Sequence, residues 1–225
     1  MSNLLVKTFV GFIALILILA LCLFIPAGTL SFWQAWVYLG VFAVCVILIT
    51  MYLILFDQKL LASRVNAGPT AETQKSQQLI QSLASLFFIG IFIVSGLDYR
   101  YHWSEVPFVL IMFSDAMVVL GFFLVFLVFR ENSYTSATIE VSHEQRVISS
   151  GPYSLVRHPM YAGAIPLLIF TPLALGSWIA VPLAVPLILV LVARLLAEEK
   201  FLDERLSGYR AYRQKVRYRL IPFVW

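Results

Sequence analysis

The strongest constraint on this chain is a series of apolar runs, separated by short polar blocks that hold nearly all of the charge. The hydrocarbon core of a bilayer takes about 20 consecutive apolar residues as a helix. Runs at 4–25, 33–56, 79–97 and 107–129 meet that requirement, and shorter proline-bearing runs follow at 159–175 and 178–197. In lipid every backbone N–H and C=O must be satisfied within the protein, so such runs are helices. Composition agrees: 12% of residues are charged and 61% hydrophobic, where a soluble domain carries roughly 25% charged residues. The expected fold class is therefore all-α, a multi-pass transmembrane helical bundle of about six spans with a C-terminal cytoplasmic segment. Two regions are expected: N-terminal transmembrane helices over 1–129, then a surface loop, helical hairpin and charged tail over 130–225.

The first run follows Lys7 and could pass for a signal peptide. No small-x-small cleavage site follows it. Leu21 precedes Cys22, where a lipoprotein signal needs a small residue, so an uncleaved span is expected. Orientation follows from the basic residues. With an even number of spans, Lys7, Lys59, Arg64, Lys75, Arg130, Arg146, Arg157 and the whole tail share one side, and Arg100 stands on the other. The positive-inside rule makes the first side cytoplasmic, with both termini there. The expected location is the inner membrane in a bacterium or the endoplasmic reticulum in a eukaryote. The net charge of +4 gathers at these membrane edges and is not a nucleic-acid footprint, so no nucleic-acid partner is expected. Membrane lipids are.

Several local features carry expectations of their own. Trp33, Trp36 and Tyr38 open the second run, where amphipathic rings suit a membrane interface. Cys22 and Cys45 lie in apolar runs with no metal-ligand spacing, and read as small buried hydrophobes; no metal site is expected. Alternating residues on either side of 142–145 suggest a short hairpin-like excursion over 138–149. Asp115, the acid within the fourth run, is expected to make a structural hydrogen bond. Pro166, Pro172, Pro182 and Pro186 break backbone ladders, which in membranes is tolerated only beside covering protein or a polar cavity.

The densest chemistry lies at Gly151-Pro152-Tyr153-Ser154-Leu155-Val156-Arg157-His158-Pro159-Met160-Tyr161-Ala162-Gly163. Pro159 suits the first position of a helix, where its missing N–H does no harm. Arg157, His158 and the free N–H groups of that first turn would then converge on one volume suited to a carboxylate or phosphate. Gly163 allows close approach of a backbone or ligand, and Tyr153 and Tyr161 offer rings and hydroxyls. The plainer reading is a basic flank with an interfacial histidine. Downstream, Glu198-Glu199 sit at the cytoplasmic end of the last run. Neighbours on a helix point about 100° apart, so only one of them can face inward while the other faces water or a basic partner. Gly208 is expected to end that helix, with Tyr209 and Tyr212 on one face of the next. The basic run 213–219 reads blandly as a surface for anionic headgroups.

Together, Gly151-Pro152-Tyr153, Val156-Arg157-His158-Pro159-Met160-Tyr161-Ala162-Gly163, Glu198-Glu199, Gly208-Tyr209, Tyr212 and Val216-Arg217-Tyr218-Arg219 followed by Pro222 resemble the integral-membrane methyltransferases. The likeness is greatest to the isoprenylcysteine carboxyl methyltransferase family, with phospholipid N-methyltransferases as relatives, and covers about residues 130–225. It implies S-adenosylmethionine as cofactor and a lipophilic acceptor, which could be a prenylcysteine-like carboxylate, a phospholipid amine or a small thiol. Arg157 and His158 suit the cofactor carboxylate, Glu198 or Glu199 its ammonium, and Tyr161, Tyr209 and Tyr212 its adenosine and sulfonium, with Gly163 beside them. Arg217 or Arg219 could reach back to orient the acceptor. An amine or thiol acceptor would need a base, for which His158 or a glutamate is the candidate. Membrane sterol reductases share a similar Arg-His-Pro-x-Tyr-x-Gly element and use NADPH, but usually carry an Arg-Asp-Glu-like run where this chain has Ala197-Glu198-Glu199. That reductase reading is one alternative. A non-catalytic module that binds lipid or a partner through its basic tail is another.

Overall fold

The computed structural model describes residues 2–65, 67–72, 74–138 and 145–225. Among the described residues every regular element is helical. The order is α1 (Ser2–Ala27), α2 (Trp33–Phe56), α3 (Gln58–Val65), α4 (Lys75–Tyr101), α5 (Phe108–Glu131), α6 (Pro159–Ala174), α7 (Ala184–Arg205) and α8 (Tyr209–Lys215). Short 3-10 turns stand at Pro69–Ala71, Gly151–Ser154 and Val181–Leu183. Five of the helical segments among the described residues are long and apolar enough to cross a membrane; α6, with 16 residues, is shorter. At 1.5 Å per residue α6 reaches about 24 Å, less than the roughly 30 Å hydrocarbon thickness.

Contacts at its two ends show that α6 nevertheless runs the length of the bundle. Its first residues meet the charged tail, where the N–H groups of Arg157 and His158 donate to the carbonyls of Tyr218 and Arg219. Just past its last turn, Ser177 donates its hydroxyl to Asp98 near the end of α4, and Trp178 N donates to Ser104. Thus α1, α2, α4, α5, α6 and α7 alternate in direction, as the about six spans expected from the sequence require. The ends marked by Asp98, Ser104 and Ser177 hold Arg100. The opposite ends carry Arg64, Arg130, Arg157 and the tail. The prolines of the last run do not kink a span. Pro182 lies in a 3-10 turn and Pro186 in the first turn of α7, where no intrahelical N–H is required, so the helix begins later than the apolar run does.

Small residues let the helices approach. α5 and α6 cross at Gly121 and Gly163: a methyl on Gly163 would stand 3.0 Å from Leu124 Cβ and 3.2 Å from Val125 N. α1 and α4 touch at Gly96, where an added methyl would lie 2.5 Å from the Leu23 carbonyl oxygen. The core between α1, α2, α4 and α6 is aromatic. Tyr38, expected at the interface, is buried in it: its hydroxyl lies 3.0 Å from Thr171 Oγ1 and its ring meets Phe92 edge-on. The partner on α6 makes that burial tolerable, since a phenol may leave water once its O–H is satisfied. Trp33 and Trp36 remain exposed at the end of α2. Among the described residues neither carboxylate oxygen of Asp115 has a hydrogen-bond partner, so the bond expected for it is not found there. Cys22 and Cys45 are free and half-buried. The hairpin-like excursion falls largely on 139–144, outside the described residues, and 145–149 are irregular.

Candidate functional site

The start of α6 is built as its sequence requires. His158 is the N-cap residue and Pro159 follows at the first helical position. Gly151 takes a positive φ of 54°, which favours glycine, and a Cβ there would stand 2.8 Å from Glu131 Oε2. The loop after it carries Tyr153, whose hydroxyl accepts from Asn132 at 2.9 Å, across to α6.

The cationic helix start already holds a carboxylate, and that carboxylate is the chain's own. Arg157 Nε donates to Glu199 Oε1 at 2.6 Å, and Arg219 Nε donates to Glu199 Oε2 at 2.8 Å. His158 Nε2 lies 3.3 Å from Glu199 Oε1 without hydrogen-bond alignment, and is buried with no other partner. Arg157 Nη1 also donates to the carbonyls of Val216 and Arg217, at 3.0 and 2.9 Å. This buried cluster pins the tail across the helix start. Packing completes the join: Tyr209, Tyr212 and Val216 bury against Tyr153, Leu202 and Leu206, and the Tyr212 hydroxyl donates to the Tyr153 carbonyl at 2.8 Å. Burial pushes the phenols of Tyr153, Tyr209 and Tyr212 up from their ordinary value.

The adjacent glutamates separate by function of the helix turn, as the 100° step predicts. Glu199 faces the basic cluster. Glu198 lines a cavity of about 390 Å³ and accepts the Tyr161 hydroxyl at 2.6 Å. Arg157, His158, Tyr161, Tyr209 and Tyr212 line the same cavity. The remaining expected site residues stand elsewhere. Gly163 is spent on the α5–α6 crossing, Arg217 is exposed and contributes its carbonyl, and Arg219 stacks over the Trp225 ring at 5.1 Å while pairing with Glu199. Among the described residues the Tyr209 hydroxyl is buried without a partner, which leaves a polar atom at the cavity.

Besides the exposed Arg146, two arginines line the cavity that the sequence did not single out as site residues. Arg194 pairs with Glu72 at 2.7 Å and donates to the Ala137 carbonyl at 2.8 Å. It sits four residues before Glu198, on the same helix face. A lone arginine inside an apolar run was a usable signal. Arg64, on α3, had no such signal, because it reads as one more charge in a polar loop. Its guanidinium lies over the Phe129 ring at 4.7 Å, and burial draws its pKa down to about 10. A second cavity of about 280 Å³, largely apolar, runs between α4, α6 and α7 and shares Gln81, Tyr161, Ala164, Leu191 and Arg194 with the first.

Residues 109–208 match the family model for phospholipid methyltransferase. Over these residues the chain is similar to the phospholipid methyltransferase family. The match takes in α5, α6 and α7 with Arg157, His158, Tyr161, Arg194, Glu198 and Glu199. It ends before Tyr209, Tyr212, Arg217 and Arg219, and Arg64 precedes it. The resemblance to membrane methyltransferases read from the motifs is therefore borne out. Family and apolar helices together support a membrane methyltransferase. No curated protein matches the chain.

Proposed function

We propose that this chain is an integral-membrane methyltransferase that uses S-adenosylmethionine to methylate a lipophilic acceptor reaching it from the bilayer. The observation that carries the reading is the pairing of two cavities in the methyltransferase region. One is polar and aromatic, with Glu198, His158 and tyrosines in its wall; the other is apolar, shares Tyr161 and Arg194 with it as a common wall, and lies among membrane-spanning helices. A volume of about 390 Å³ falls within the usual range for small-ligand sites.

The residues fit the cofactor's groups. Glu198 gives one oxygen to Tyr161 and suits the amino-acid ammonium with the other. His158 and the first turn of α6 suit the carboxylate, Arg157 being held by Glu199, while Tyr209, Tyr212 and Tyr161 offer ring faces to adenosine and sulfonium. When bound, S-adenosylmethionine supplies an electrophilic methyl group on sulfur. The chain's own part is positioning and exclusion of water: the tail, held by Glu199, closes the cavity's wall, and the apolar groove keeps the acceptor's path dry. A carboxylate acceptor needs no base; for an amine or thiol acceptor, His158 or Glu198 is placed to take the proton. Arg219, held by Glu199, is a positioning residue for the tail. By the positive-inside rule the polar cavity faces the cytoplasm, where the cofactor is made available.

Isothermal titration of the purified full chain tests this. S-adenosylhomocysteine should bind and NADPH should not, and Glu198→Gln should weaken that binding by about tenfold or more, the cost of one charge-assisted hydrogen bond. Binding of NADPH without S-adenosylhomocysteine would overturn the proposal in favour of a reductase.

A further inference from the structure

The cavity contains more hydrogen-bonding cation than the cofactor reading uses. Arg157 and Arg219 are taken by Glu199. Among the described residues no carboxylate pairs with Arg64. There its Nε is buried with no partner, and its Nη2 meets only the sulfur of Met160, at 2.9 Å. A thioether is a weak acceptor, and a poor counterpart for a guanidinium removed from water. Arg194 spends Nη2 on Glu72 and Ala137 and lies within electrostatic reach of the Tyr161 hydroxyl, but its Nη1 is buried with no hydrogen-bond partner among the described residues, and its side chain is only 13% exposed. Glu198 is within electrostatic reach of Arg64 but makes no ion pair with it, and Tyr161 occupies one of its oxygens. Tyr153 and Tyr161, the other groups facing Arg64, are neutral phenols at physiological pH. Two partly buried guanidinium groups with spare N–H thus border one cavity, beside the exposed Arg146.

Their place matters as much as their charge. Arg194 stands in the wall shared by the polar cavity and the apolar groove, with Gln81, Tyr161, Ala164 and Leu191. Away from this shared wall the groove is lined by Ile80, Ala84, Phe88, Leu168, Leu187 and Val190. An amphiphile whose chain lies in that groove brings its head to the shared wall. We propose that Arg64 and Arg194 form the seat for an anionic group, phosphate or carboxylate, on the head of the acceptor lipid, with the lipid's chain in the groove between α4, α6 and α7. Satisfying both orphaned donors offsets the desolvation that an unpaired arginine otherwise carries. The term acceptor rests on the methyltransferase reading, but the site itself does not. Arg64 also lies outside the family-matched residues, so this half of the seat belongs to this chain rather than to the matched pattern.

The test is direct binding by the purified full chain in a neutral maltoside detergent, with three probes of equal chain length: dodecyl phosphate, dodecanoate and dodecanol. The anionic probes should bind at least about tenfold more tightly than the alcohol, and whichever anion binds better identifies the head as phosphate or carboxylate. Arg64→Gln should remove that preference, and Arg64→Lys should keep part of it, because an ammonium retains the charge but not the fork. Thermal unfolding of each variant confirms that it is folded. S-adenosylhomocysteine affinity should be unchanged in Arg64→Gln, within about threefold. Equal binding of anionic and neutral probes, or an undiminished preference in Arg64→Gln, overturns the proposal. So does a parallel loss of S-adenosylhomocysteine binding, which would place Arg64 in the cofactor pocket. Retention of the Arg64-dependent preference in a protein that fails to bind S-adenosylhomocysteine would uphold the anion seat and reject the methyltransferase reading.

Discussion

Glu199→Gln perturbs the joint on which the site's geometry depends. Glu199 is 4% exposed and accepts from Arg157 at 2.6 Å and Arg219 at 2.8 Å. Glutamine keeps the shape and one acceptor oxygen but removes the charge. Arg157 then remains buried as a guanidinium with only the carbonyls of Val216 and Arg217 for partners. Breaking a buried ion pair by neutralising one member costs about 3–5 kcal/mol. The Arg219 pair adds little, because that side chain is 31% exposed and solvent screens it. With one acceptor oxygen retained, the lower end applies, about 3 kcal/mol. The backbone bonds from Arg157 and His158 to the tail carbonyls resist opening in both proteins, so the loss falls on tail docking rather than on the bundle. About 3 kcal/mol is roughly a hundredfold in the opening equilibrium of residues 206–220. Hydrogen–deuterium exchange with mass spectrometry reads that equilibrium directly. Amides of α8 and the following segment should exchange about a hundredfold faster in the variant, while α1, α2 and α4 stay unchanged. Glu198→Gln, one residue away but facing the cavity, should leave tail protection alone. Tail protection within about threefold of the parent in Glu199→Gln would refute the reasoning.

Gly96→Ala puts a methyl 2.5 Å from a backbone oxygen of α1, which cannot yield without parting the two helices. Thermal unfolding should report a loss of about 1–3 kcal/mol, whereas Gly40→Ala, with nothing within 4 Å of the added methyl, should be neutral or slightly stabilising. The pH dependence follows from the buried phenols of Tyr153, Tyr209 and Tyr212, whose pKa values are raised by burial. The folded state therefore holds those protons more tightly than the unfolded chain, whose tyrosines titrate near 10. Stability should be level below about pH 10 and should fall as pH rises beyond it, as denaturation at about pH 9 and about pH 11 would record. A gain in stability across that interval would contradict the burial.

Much of the fold was legible because lipid leaves a chain few choices. The run 33–56 became α2 with the same bounds, and the basic residues sorted to the ends of the bundle as their distribution along the chain implied. The divided roles of Glu198 and Glu199 followed from the helical step alone. What failed depended on rotation and partners that periodicity does not encode. Tyr38 reads as an interfacial ring, but the hydroxyl of Thr171, far along the chain, draws it into the core. The anion site at Arg157 and His158 was legible as chemistry, yet its occupant, Glu199, lies 42 residues downstream. Gly163 was read for close approach of a backbone or a ligand, and the α5 backbone at the helix crossing is what approaches it. Arg64 acquires meaning only when α3 folds over the cavity, and no local pattern announces that.

The central claim, methyl transfer to a lipid, is tested most directly by supplying the full chain with methyl-labelled S-adenosylmethionine and a membrane lipid extract, then identifying the labelled product by mass spectrometry. The proposed function predicts label on a lipid species, reduced by about tenfold or more in Glu198→Gln. No labelled lipid from protein that binds S-adenosylhomocysteine, or undiminished labelling by the variant, would contradict it.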